Sequence, residues 1–498
     1  MLLVASYAFL YHLSGRVIGF TLVTTLSVYA LGLGMGRVYE ARDGELAQVK
    51  RGKKAIKERY KKRARWVLVA GIAINMGILF ALNYLGFFGK VTNAILGLFS
   101  MHADIRPLRI GTPLGISFYT LMAVSYLVDV YRETIKPDRH LGRVALFLSF
   151  FPQIMEGPIC RYGQTAQALT EGKPLTRAGL YEGSVRMLVG FVMKLVIADR
   201  LNSLVGMIFK SYNHLDGGVI MLGAVFYTLQ LYCDFAGTMH VALGMGRFFG
   251  VTLPENFRQP FFSKTASEFW QRWHITLGAW FKDYVFYPVS FSKLCKSLST
   301  KARKRFGRQI GPLLVSSIAL FCVWFGNGLW HGAGTQYLLF GMYYFVLIVA
   351  GGFLEIPAQA FAAKHELDRD KGLYAGLRVA RTLCLIFVGE LMFRSDSARD
   401  AFAMLARMVT NFSFEGIANG ALFGIHFVPA DLAIALLTLV GVFALDAVKE
   451  RGGTPLASLC SKSLLVRWGV WFALFMFVLI FGAYGAGYVP VDPMYAQF

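Results

Sequence analysis

Charged residues are scarce in this sequence, and their scarcity excludes most soluble folds. Only 16% of the 498 residues are charged and 56% are hydrophobic, whereas roughly a quarter of the residues in a soluble domain carry a charge. Some stretches, such as 17–36 and 217–233, have no charge at all. Because a helix needs about 20 apolar residues to cross the hydrocarbon core of a bilayer, the composition indicates a protein that crosses a membrane several times.

The apolar stretches also lack the alternation of apolar and polar residues that a membrane β-barrel requires. An open sheet edge cannot be satisfied in lipid, so the spans must be helices. We predict an all-α polytopic membrane protein with about eleven crossings. No separate soluble domain and no internal repeat is evident, so we predict a single membrane domain over residues 1–498.

The predicted membrane segments differ in length. The two shortest, 90–101 and 143–155, are expected to be re-entrant or interfacial rather than to span the bilayer. The full set of apolar segments lies near 2–13, 17–36, 66–88, 90–101, 113–131, 143–155, 179–198, 217–240, 312–330, 335–354, 376–394, 430–447 and 466–486.

The six cysteines form neither a CxxC pair nor a spacing typical of metal ligands. They are scattered, and most of them lie in apolar stretches, where a free cysteine behaves as a small hydrophobic residue. We therefore predict neither a disulfide framework nor a metal site.

Basic residues outnumber acidic ones by 51 to 29, which gives a net charge of +22. Their positions argue against nucleic-acid binding, because they concentrate in two runs between apolar stretches, as cytoplasmic loops do. Residues 37–65 contain twelve Lys or Arg, and residues 293–308 contain seven and no acid. We predict that both runs are cytoplasmic loops of a plasma-membrane protein, that anionic headgroups favour them, and that 37–65 includes a basic interfacial helix.

Residues 241–311 are too polar to span a membrane, yet they are rich in aromatic residues. The simplest interpretation is an interfacial or re-entrant region, in which Trp and Tyr lie at headgroup level. That interpretation does not explain the polar residues among the rings, which include Arg272, His274, Lys282 and Asp283. If 269–288 is a helix, one face of it carries Trp270, Trp273, His274 and Leu277. His274 is then either a structural hydrogen-bonding residue or part of a catalytic site.

A second histidine, His331, ends an apolar run in the segment GNGLWHGAGTQY. An ionisable residue in a membrane segment is costly and is by default a candidate for function. The glycines around it would let a substrate or another helix approach the backbone. Imidazole gains and loses a proton near neutral pH, which suits general-base chemistry. The alternative is a histidine that only pairs across helices and packs the bundle.

Two further segments place charge within apolar sequence. In FFPQIMEGPICRY the prolines on either side of Gly157 break any helix. Its Glu156 and Arg161 could form a buried ion pair, line a polar tunnel or lie in a simple surface loop. Further on, Asp234 stands in an apolar stretch and therefore needs a partner or a water-filled cavity.

These segments, in this order, resemble the membrane-bound O-acyltransferase family. The most specific combination is EFWQRWHITL with GLWHG, whose histidines are 57 residues apart. The likeness is greatest to the bacterial branch, which holds membrane proteins of alginate O-acetylation and of teichoic-acid D-alanylation, and the alginate type is the nearer of the two. One departure lies at 237–240, where relatives often carry Gly-Tyr-Ser-Asp and this chain has Gly-Thr-Met-His. Further matching segments are PLGISFYTLMAVSYLVDVYR, LPENFRQPFFSKTASEFW, KDYVFYP, MFRSDS and the end from 481 to 498.

The resemblance implies that His331 is catalytic and that His274 supports it. It implies a helical bundle around a central tunnel that connects a cytoplasmic acyl donor to an outward-facing funnel, and a partner protein outside the membrane that completes transfer to a polysaccharide. No cofactor is expected to stay bound, since the acyl thioester, acetyl-CoA or an acyl-carrier protein, is a co-substrate. The other residues expected to line the substrate path are Trp273, Asn327, Trp330, Gly332, Asp234, Glu156, Arg161 and Asp283.

On this basis we expect an O-acyltransferase in which His331 is the general base for attack of a hydroxyl on the thioester. Trp273, Asn327 or amides near Gly332 would stabilise the oxyanion. Acetyl is the expected acyl group, and D-alanyl transfer is the alternative. A transporter would show repeats, and a non-catalytic scaffold would have no need of both histidines; these two classes stay open.

Overall fold

The computed structural model describes residues 1–98, 111–420 and 429–485, together with 488 and 491. Every regular element in these ranges is helical, and none of them is a strand. The prediction of an all-α protein is therefore confirmed. The predicted segment 90–101 lies partly outside the described residues, as does most of the C-terminal sequence 481–498.

Seven helices of the described residues are long and apolar enough to cross a membrane. Large apolar side chains on them face outward, for example Leu437 at 74% exposed and Leu465 at 87%, as expected where lipid rather than protein covers a helix. The prediction of a multi-pass membrane protein is confirmed, whereas the count of eleven and the central tunnel stay predictions. The seven are Leu2–Gln48, which is a continuous helical stretch of two helices joined by a 3₁₀ turn, and Lys53–Phe87, Gly217–Phe248, Lys293–His331, Thr335–Lys364, Pro429–Glu450 and Leu464–Phe481.

The described residues pack as two units, and the prediction of a single membrane domain stays a prediction. Of the described residues, the first unit comprises Met1–Leu180 and Met245–Pro254, and the second comprises Tyr181–Gly244 and those from Glu255 to residue 491. The helices of the first unit are α1 (Leu2–Ser14), α2 (Ile18–Gln48), α3 (Lys53–Leu98), α4 (Ile116–Tyr131), α5 (Leu141–Ser149), α6 (Phe151–Ile154) and α7 (Tyr162–Glu171).

The second unit holds most of the remaining helices, and two segments within it have π-helical geometry, Val192–Ala198 and Lys282–Phe286. Short 3₁₀ turns occur at Tyr212–His214 and Pro260–Phe262 in the second unit, and at Gly15–Val17 in the first. The remaining α-helices are α8 (Arg177–Phe191), α9 (Asp199–Lys210), α10 (Gly217–Phe248), α11 (Ala266–Arg272), α12 (Ile275–Phe281), α13 (Tyr287–Ser290), α14 (Lys293–His331), α15 (Thr335–Lys364), α16 (Gly372–Arg394), α17 (Ala398–Thr410), α18 (Glu415–Ala418), α19 (Pro429–Glu450), α20 (Pro455–Cys460) and α21 (Leu464–Phe481).

The basic run 37–65 is helical over most of its length. It comprises the end of α2 and the start of α3, and only four residues between Gln48 and Lys53 connect them. Near the end of α2, the Arg42 guanidinium donates two hydrogen bonds to the Glu133 carboxylate, at 2.6 and 2.8 Å. These bonds stabilise the ionised carboxylate and lower the pKa of Glu133. The cytoplasmic location of this run stays a prediction.

The predicted segment 143–155 is broken, as the prolines on either side of Gly157 indicate. α5 ends at Ser149, α6 is only four residues long, and the chain is not helical again until α7. A side chain could not replace hydrogen at Gly157, since a Cβ there would lie 2.3 Å from the Cα of Gln153. The close return of the backbone on itself therefore requires glycine at this position.

The helix that ends at His331 is broken near its start. Gly307 has a non-helical backbone (φ 80°, ψ 178°) within α14, which separates the basic segment before it from the apolar segment after it. A Cβ at Gly311 would lie 2.7 Å from the backbone of Ala302 and Arg303. The two segments therefore touch at the break, and glycine makes that contact possible.

Candidate active site

His331 lies at the end of a tightly packed pair of helices. α14 ends at His331 and α15 begins at Thr335. A Cβ at Gly328 would lie 2.6 Å from the carbonyl oxygen of Tyr337, and one at Gly341 would lie 2.4 Å from that of Trp324. The glycine before His331 therefore admits another helix, as its small size predicts, and that helix is α15.

The His331 side chain is 3% exposed and is enclosed by aromatic rings. The ring centroid of His331 lies 4.9 Å from that of Trp330, 5.0 Å from that of Phe393 and 5.8 Å from that of Phe340. The Tyr337 ring is further away, at 6.5 Å. Three helices contribute to this enclosure, because Phe393 belongs to α16 and its MFRSDS motif. Water is thereby largely excluded from the imidazole.

Asn327 and Trp330 lie on the same helix end as His331. Asn327 is buried one turn before the histidine, and its Oδ1 accepts no hydrogen bond from the residues that the structure describes. The Trp330 indole contacts His274 as well, with 5.9 Å between the two ring centroids. The second unit thus brings both predicted histidines against one indole.

The prediction that residues 269–288 form one helix is wrong. α11 ends at Arg272, α12 begins at Ile275, and His274 between them is in the left-handed conformation (φ 46°, ψ 51°). A preceding segment supplies the missing hydrogen bonds: the Asn256 carbonyl accepts the Ile275 N–H at 3.0 Å, and the Arg272 carbonyl accepts the Arg258 N–H at 2.9 Å. These backbone groups no longer pair along a continuous helix, so the chain turns at His274.

Because of this turn, Trp270 and Trp273 pack in different surroundings rather than on one face. Trp270 lies against the rings of Trp324 and Tyr344, at 5.1 and 4.8 Å. Trp273 lies against Phe257 and Phe269, at 5.1 and 5.3 Å. Trp273 is therefore a buried part of an aromatic cluster beside His274, and its oxyanion role stays a prediction.

His274 is 3% exposed and is held by a residue that the sequence analysis did not single out. Asn256 lies 3.1 Å from the Nδ1 of His274 through its side-chain nitrogen, and the Phe235 ring stands perpendicular to the imidazole at 4.8 Å. Asn256 belongs to the LPENF motif, which the sequence showed only as a point of family likeness. The motif was therefore visible in the sequence, but no local pattern connected Asn256 to a histidine 18 residues later.

Asp234 has the charged partner that its burial requires. Lys194 lies 2.7 Å from the Asp234 carboxylate and 2.8 Å from that of Asp199, and all three side chains are largely buried. Lys194 is part of the π-helical segment Val192–Ala198, a geometry that often marks functional positions. Lys194 was not among the residues predicted from the sequence, and a role for Asp234 along the substrate path stays a prediction.

Glu156 and Arg161 belong to the first unit, in the non-helical segment before α7. Glu156 is fully buried, and the Arg161 guanidinium donates to the carbonyl of Ile159 at 3.3 Å. Asp283 lies in the second unit, in Lys282–Phe286, and is partly buried. An ion pair between Glu156 and Arg161 and a tunnel-lining role for these three residues stay predictions.

A buried acid on α16 was also missed. Glu390 is 2% exposed, and its Oε1 has no hydrogen-bond partner among the described residues. It lies three residues before Phe393, the residue that packs on His331, and the Tyr344 hydroxyl approaches the backbone beside it at Gly389. A single acid in the apolar run VGELMF was the available signal. In the described ranges no group of three or more His, Cys, Asp or Glu could hold a metal ion.

Comparison with known proteins bears on this pair of histidines. Residues 117–302 match the model of the MBOAT, membrane-bound O-acyltransferase family. The chain is 30% identical to the probable alginate O-acetylase AlgI of Pseudomonas putida, over 92% of its own length and 84% of that protein. The chain belongs to the membrane-bound O-acyltransferase family. It is accordingly an acyltransferase.

Other family members that resemble this chain have different acceptors in their names. The teichoic acid D-alanyltransferase of Bacillus subtilis is 33% identical over 49% of this chain and 59% of its own length. The peptidoglycan O-acetyltransferase of Helicobacter pylori is 28% identical over 54% and 53%. The family match includes His274 and ends before His331, whereas a likeness over 92% of the chain necessarily includes both histidines.

Proposed function

We propose that this membrane-bound O-acyltransferase moves an acyl group, most simply acetyl, from a cytoplasmic thioester to a hydroxyl of an extracellular polysaccharide. The observation that carries the proposal is the pair of buried imidazoles, His331 and His274, that contact the Trp330 indole. Ionisable side chains buried in a membrane protein are costly and usually functional. The likeness to an alginate O-acetylase over most of the chain supports acetyl and a polysaccharide.

His331 acts as the general base in this proposal. Its imidazole takes the proton of the incoming hydroxyl while the hydroxyl oxygen attacks the thioester carbonyl carbon, and the carbonyl electron pair moves to oxygen. The tetrahedral intermediate collapses as the carbon–sulfur bond breaks, and the departing thiolate takes the proton back from the imidazolium. Asn327 and the amides near Gly332 are the nearest candidates along the chain to stabilise the oxyanion.

The donor and the partner belong to the same proposal. Acetyl-CoA or an acyl-carrier protein would deliver the thioester from the cytoplasm, where the basic runs 37–65 and 293–308 would lie. A tunnel through the bundle would bring the thioester to His331, and a funnel on the outer side of the plasma membrane would admit the first acceptor hydroxyl. An extracytoplasmic partner protein would then move the acyl group from that ester to a hydroxyl of the polymer, which releases the first hydroxyl. No bound cofactor is required, because the thioester carries the acyl group.

D-alanyl transfer to teichoic acid is the second candidate. It is supported by the 33% identity to the Bacillus subtilis teichoic acid D-alanyltransferase, over about half of this chain. The chemistry at His331 would be the same, and only the acyl group and the polymer would differ. The two candidates therefore divide on substrate and not on mechanism.

Product analysis of the purified protein in liposomes tests both candidates. One sample receives acetyl-CoA and the other a D-alanyl carrier protein, each with the polysaccharide acceptor and the protein fraction that carries the partner. O-acetyl product is expected in the first sample and is expected to be absent with the His331→Ala variant. D-alanyl product alone would select the second candidate, and no acyl transfer from either donor would favour a transporter or a scaffold.

A further inference from the structure

The side chain of Asn256 is buried at 1% exposed and stands at the turn between α11 and α12. Its Oδ1 accepts two hydrogen bonds, from the N–H and from the hydroxyl of Thr276, both at 2.9 Å. Its Nδ2 lies 3.1 Å from the Nδ1 of His274 and 3.4 Å from the Sδ of Met239. Asn256 therefore contacts both sides of the turn that carries His274.

The hydrogen bonds fix which way the Asn256 amide points. A backbone N–H can only donate, so the atom that faces the N–H of Thr276 must be the amide oxygen. The amide nitrogen then faces His274 and Met239, and its two hydrogens have one acceptor each. In the opposite orientation, the amide nitrogen of Asn256 would face the N–H of Thr276, and both groups are donors. The Sδ of Met239 would then face the amide oxygen and would receive no hydrogen bond from Asn256.

This orientation decides the tautomer of His274. Since Nδ2 of Asn256 donates, the Nδ1 of His274 must accept, and the single proton of the neutral imidazole is then on Nε2. The reverse arrangement would have Nδ1–H donate to Oδ1, but that distance is 3.3 Å and Oδ1 already accepts two bonds from Thr276. The shorter contact and the count of acceptors both select Nε2–H.

We propose that Asn256 is a positioning residue, and that it fixes His274 as an Nε2–H hydrogen-bond donor in the acyl transfer. This inference rests on the proposed function, because it gives His274 a task in that reaction. In the resting enzyme a neutral imidazole with its proton on Nε2 can stabilise negative charge on the carbonyl oxygen, but its Nδ1 is occupied and cannot take a proton. His331 is then left as the base, and the two histidines have different roles.

The backbone at His274 supports the same division of roles. A left-handed conformation is unfavourable for most residues other than glycine, and it persists only where the surroundings enforce it. Here the Asn256 carbonyl bonds the N–H of Ile275 while the Asn256 side chain bonds both His274 and Thr276. Asn256 thus stabilises the backbone turn and also determines which nitrogen of the imidazole carries the proton.

The nitrogen-15 NMR spectrum of protein labelled only at histidine tests the tautomer without any need for activity. The chain has nine histidines, and loss of signals in the His274→Gln variant assigns those of His274. We expect a protonated Nε2 and an unprotonated Nδ1. In Asn256→Asp, where the donor becomes a carboxylate, Nδ1 is expected to become protonated, while Asn202→Asp leaves these signals unchanged. A native His274 protonated at Nδ1 overturns the proposal.

Replacement of His274 by the two side-chain amides tests its role in the reaction. The amide nitrogen of glutamine reaches the position of Nε2, and that of asparagine reaches the position of Nδ1. Asparagine tolerates the left-handed backbone better than glutamine does, so the backbone favours the variant that is expected to be less active. We expect kcat of His274→Asn to fall about 10²-fold below that of His274→Gln, the loss typical of one oxyanion donor, with little change in KM.

Equal kcat in the two variants, or a higher kcat in His274→Asn, would contradict the role of Nε2–H. Thermal unfolding in detergent verifies that both variants are folded, and if either is not, the tautomer measurement decides alone. Failure of the proposed function has a different signature, since the native protein would then transfer no acyl group while its His274 signals could still be read.

Discussion

His331 and His274 are buried to the same extent, and the neighbours described for each of them differ. The rings of Trp330, Phe340 and Phe393 surround His331, whereas the Asn256 amide bonds Nδ1 of His274. An imidazole positioned by ring packing can change its protonation without loss of that packing. One positioned by a hydrogen bond to a ring nitrogen is fixed in one tautomer. Within the proposed function, this contrast is consistent with proton transfer by His331 and hydrogen-bond donation by His274.

Removal of the two imidazoles should give the largest effects and should differ between them. We expect His331→Ala to lower kcat by about 10²–10⁴-fold, the usual contribution of a positioned base, and His274→Ala to lower it by about 10²-fold. Turnover of the reconstituted protein measures both. His365→Ala is the control, since His365 is exposed and no loss is expected. A greater loss for His274→Ala would reverse the assignment of roles.

The packing around His331 can be disturbed without a change of any polar group. Gly341→Ala places a Cβ 2.4 Å from the carbonyl oxygen of Trp324 and should lower the free energy of unfolding by about 1–3 kcal/mol through overpacking. Gly351→Ala on the same helix meets no atom within 4 Å, and should be neutral or stabilising by up to about 1 kcal/mol. Thermal unfolding in detergent compares the two variants. Equal stability would mean that α14 and α15 are not held together this closely.

Glu390 offers a change of opposite sign near the same rings. A buried carboxyl group without a hydrogen-bond partner costs about 1–3 kcal/mol, so Glu390→Met is expected to raise the temperature of unfolding. Glu355→Met is the control and should lower it slightly, because Glu355 pairs with Arg369 at 2.7 and 2.9 Å. A lower unfolding temperature would contradict this prediction, whereas a higher one together with a loss of turnover would indicate that Glu390 takes part in the reaction.

The smallest effect concerns the hydrogen bonds that hold His274. Thr276→Val keeps the shape of the side chain and the backbone bond to Asn256, but removes the hydroxyl that donates to Oδ1. We expect a loss of about 0.5–1.5 kcal/mol in the free energy of unfolding. Thr300→Val, at an exposed position, should change nothing measurable. No difference between the two variants would mean that the hydroxyl does not contribute to the hold on Asn256.

The local structure around His331 could be predicted well from the sequence. The helix that ends at His331 follows from a long apolar run and a glycine-rich segment after it, and both are local signals. The glycine at 328 indicated a close approach, which α15 makes at Tyr337. The rings of Phe340 and Phe393 could not be assigned to the site, because they come from two other helices.

The turn at His274 could not be predicted from the sequence in the same way. No glycine or proline lies within 269–277 to mark the break, and residues 256–258 supply the hydrogen bonds that turn the chain there. Lys194 was missed for a similar reason, since 40 residues separate it from Asp234 along the chain. Interactions across the fold decide both cases, and periodicity within one segment does not report them.

The break at Gly307 has a mechanical consequence. A continuous helix transmits rotation and displacement from one end to the other, whereas a residue with φ of 80° acts as a joint between two rods. The basic rod before the joint is exposed, and if it lies among lipid headgroups, as predicted, it should follow their fluctuations. The apolar rod after it keeps the orientation that α15 and α16 impose on His331. Motion of the basic rod would then reach the imidazole only through the contact at Gly311, and not through one continuous helix.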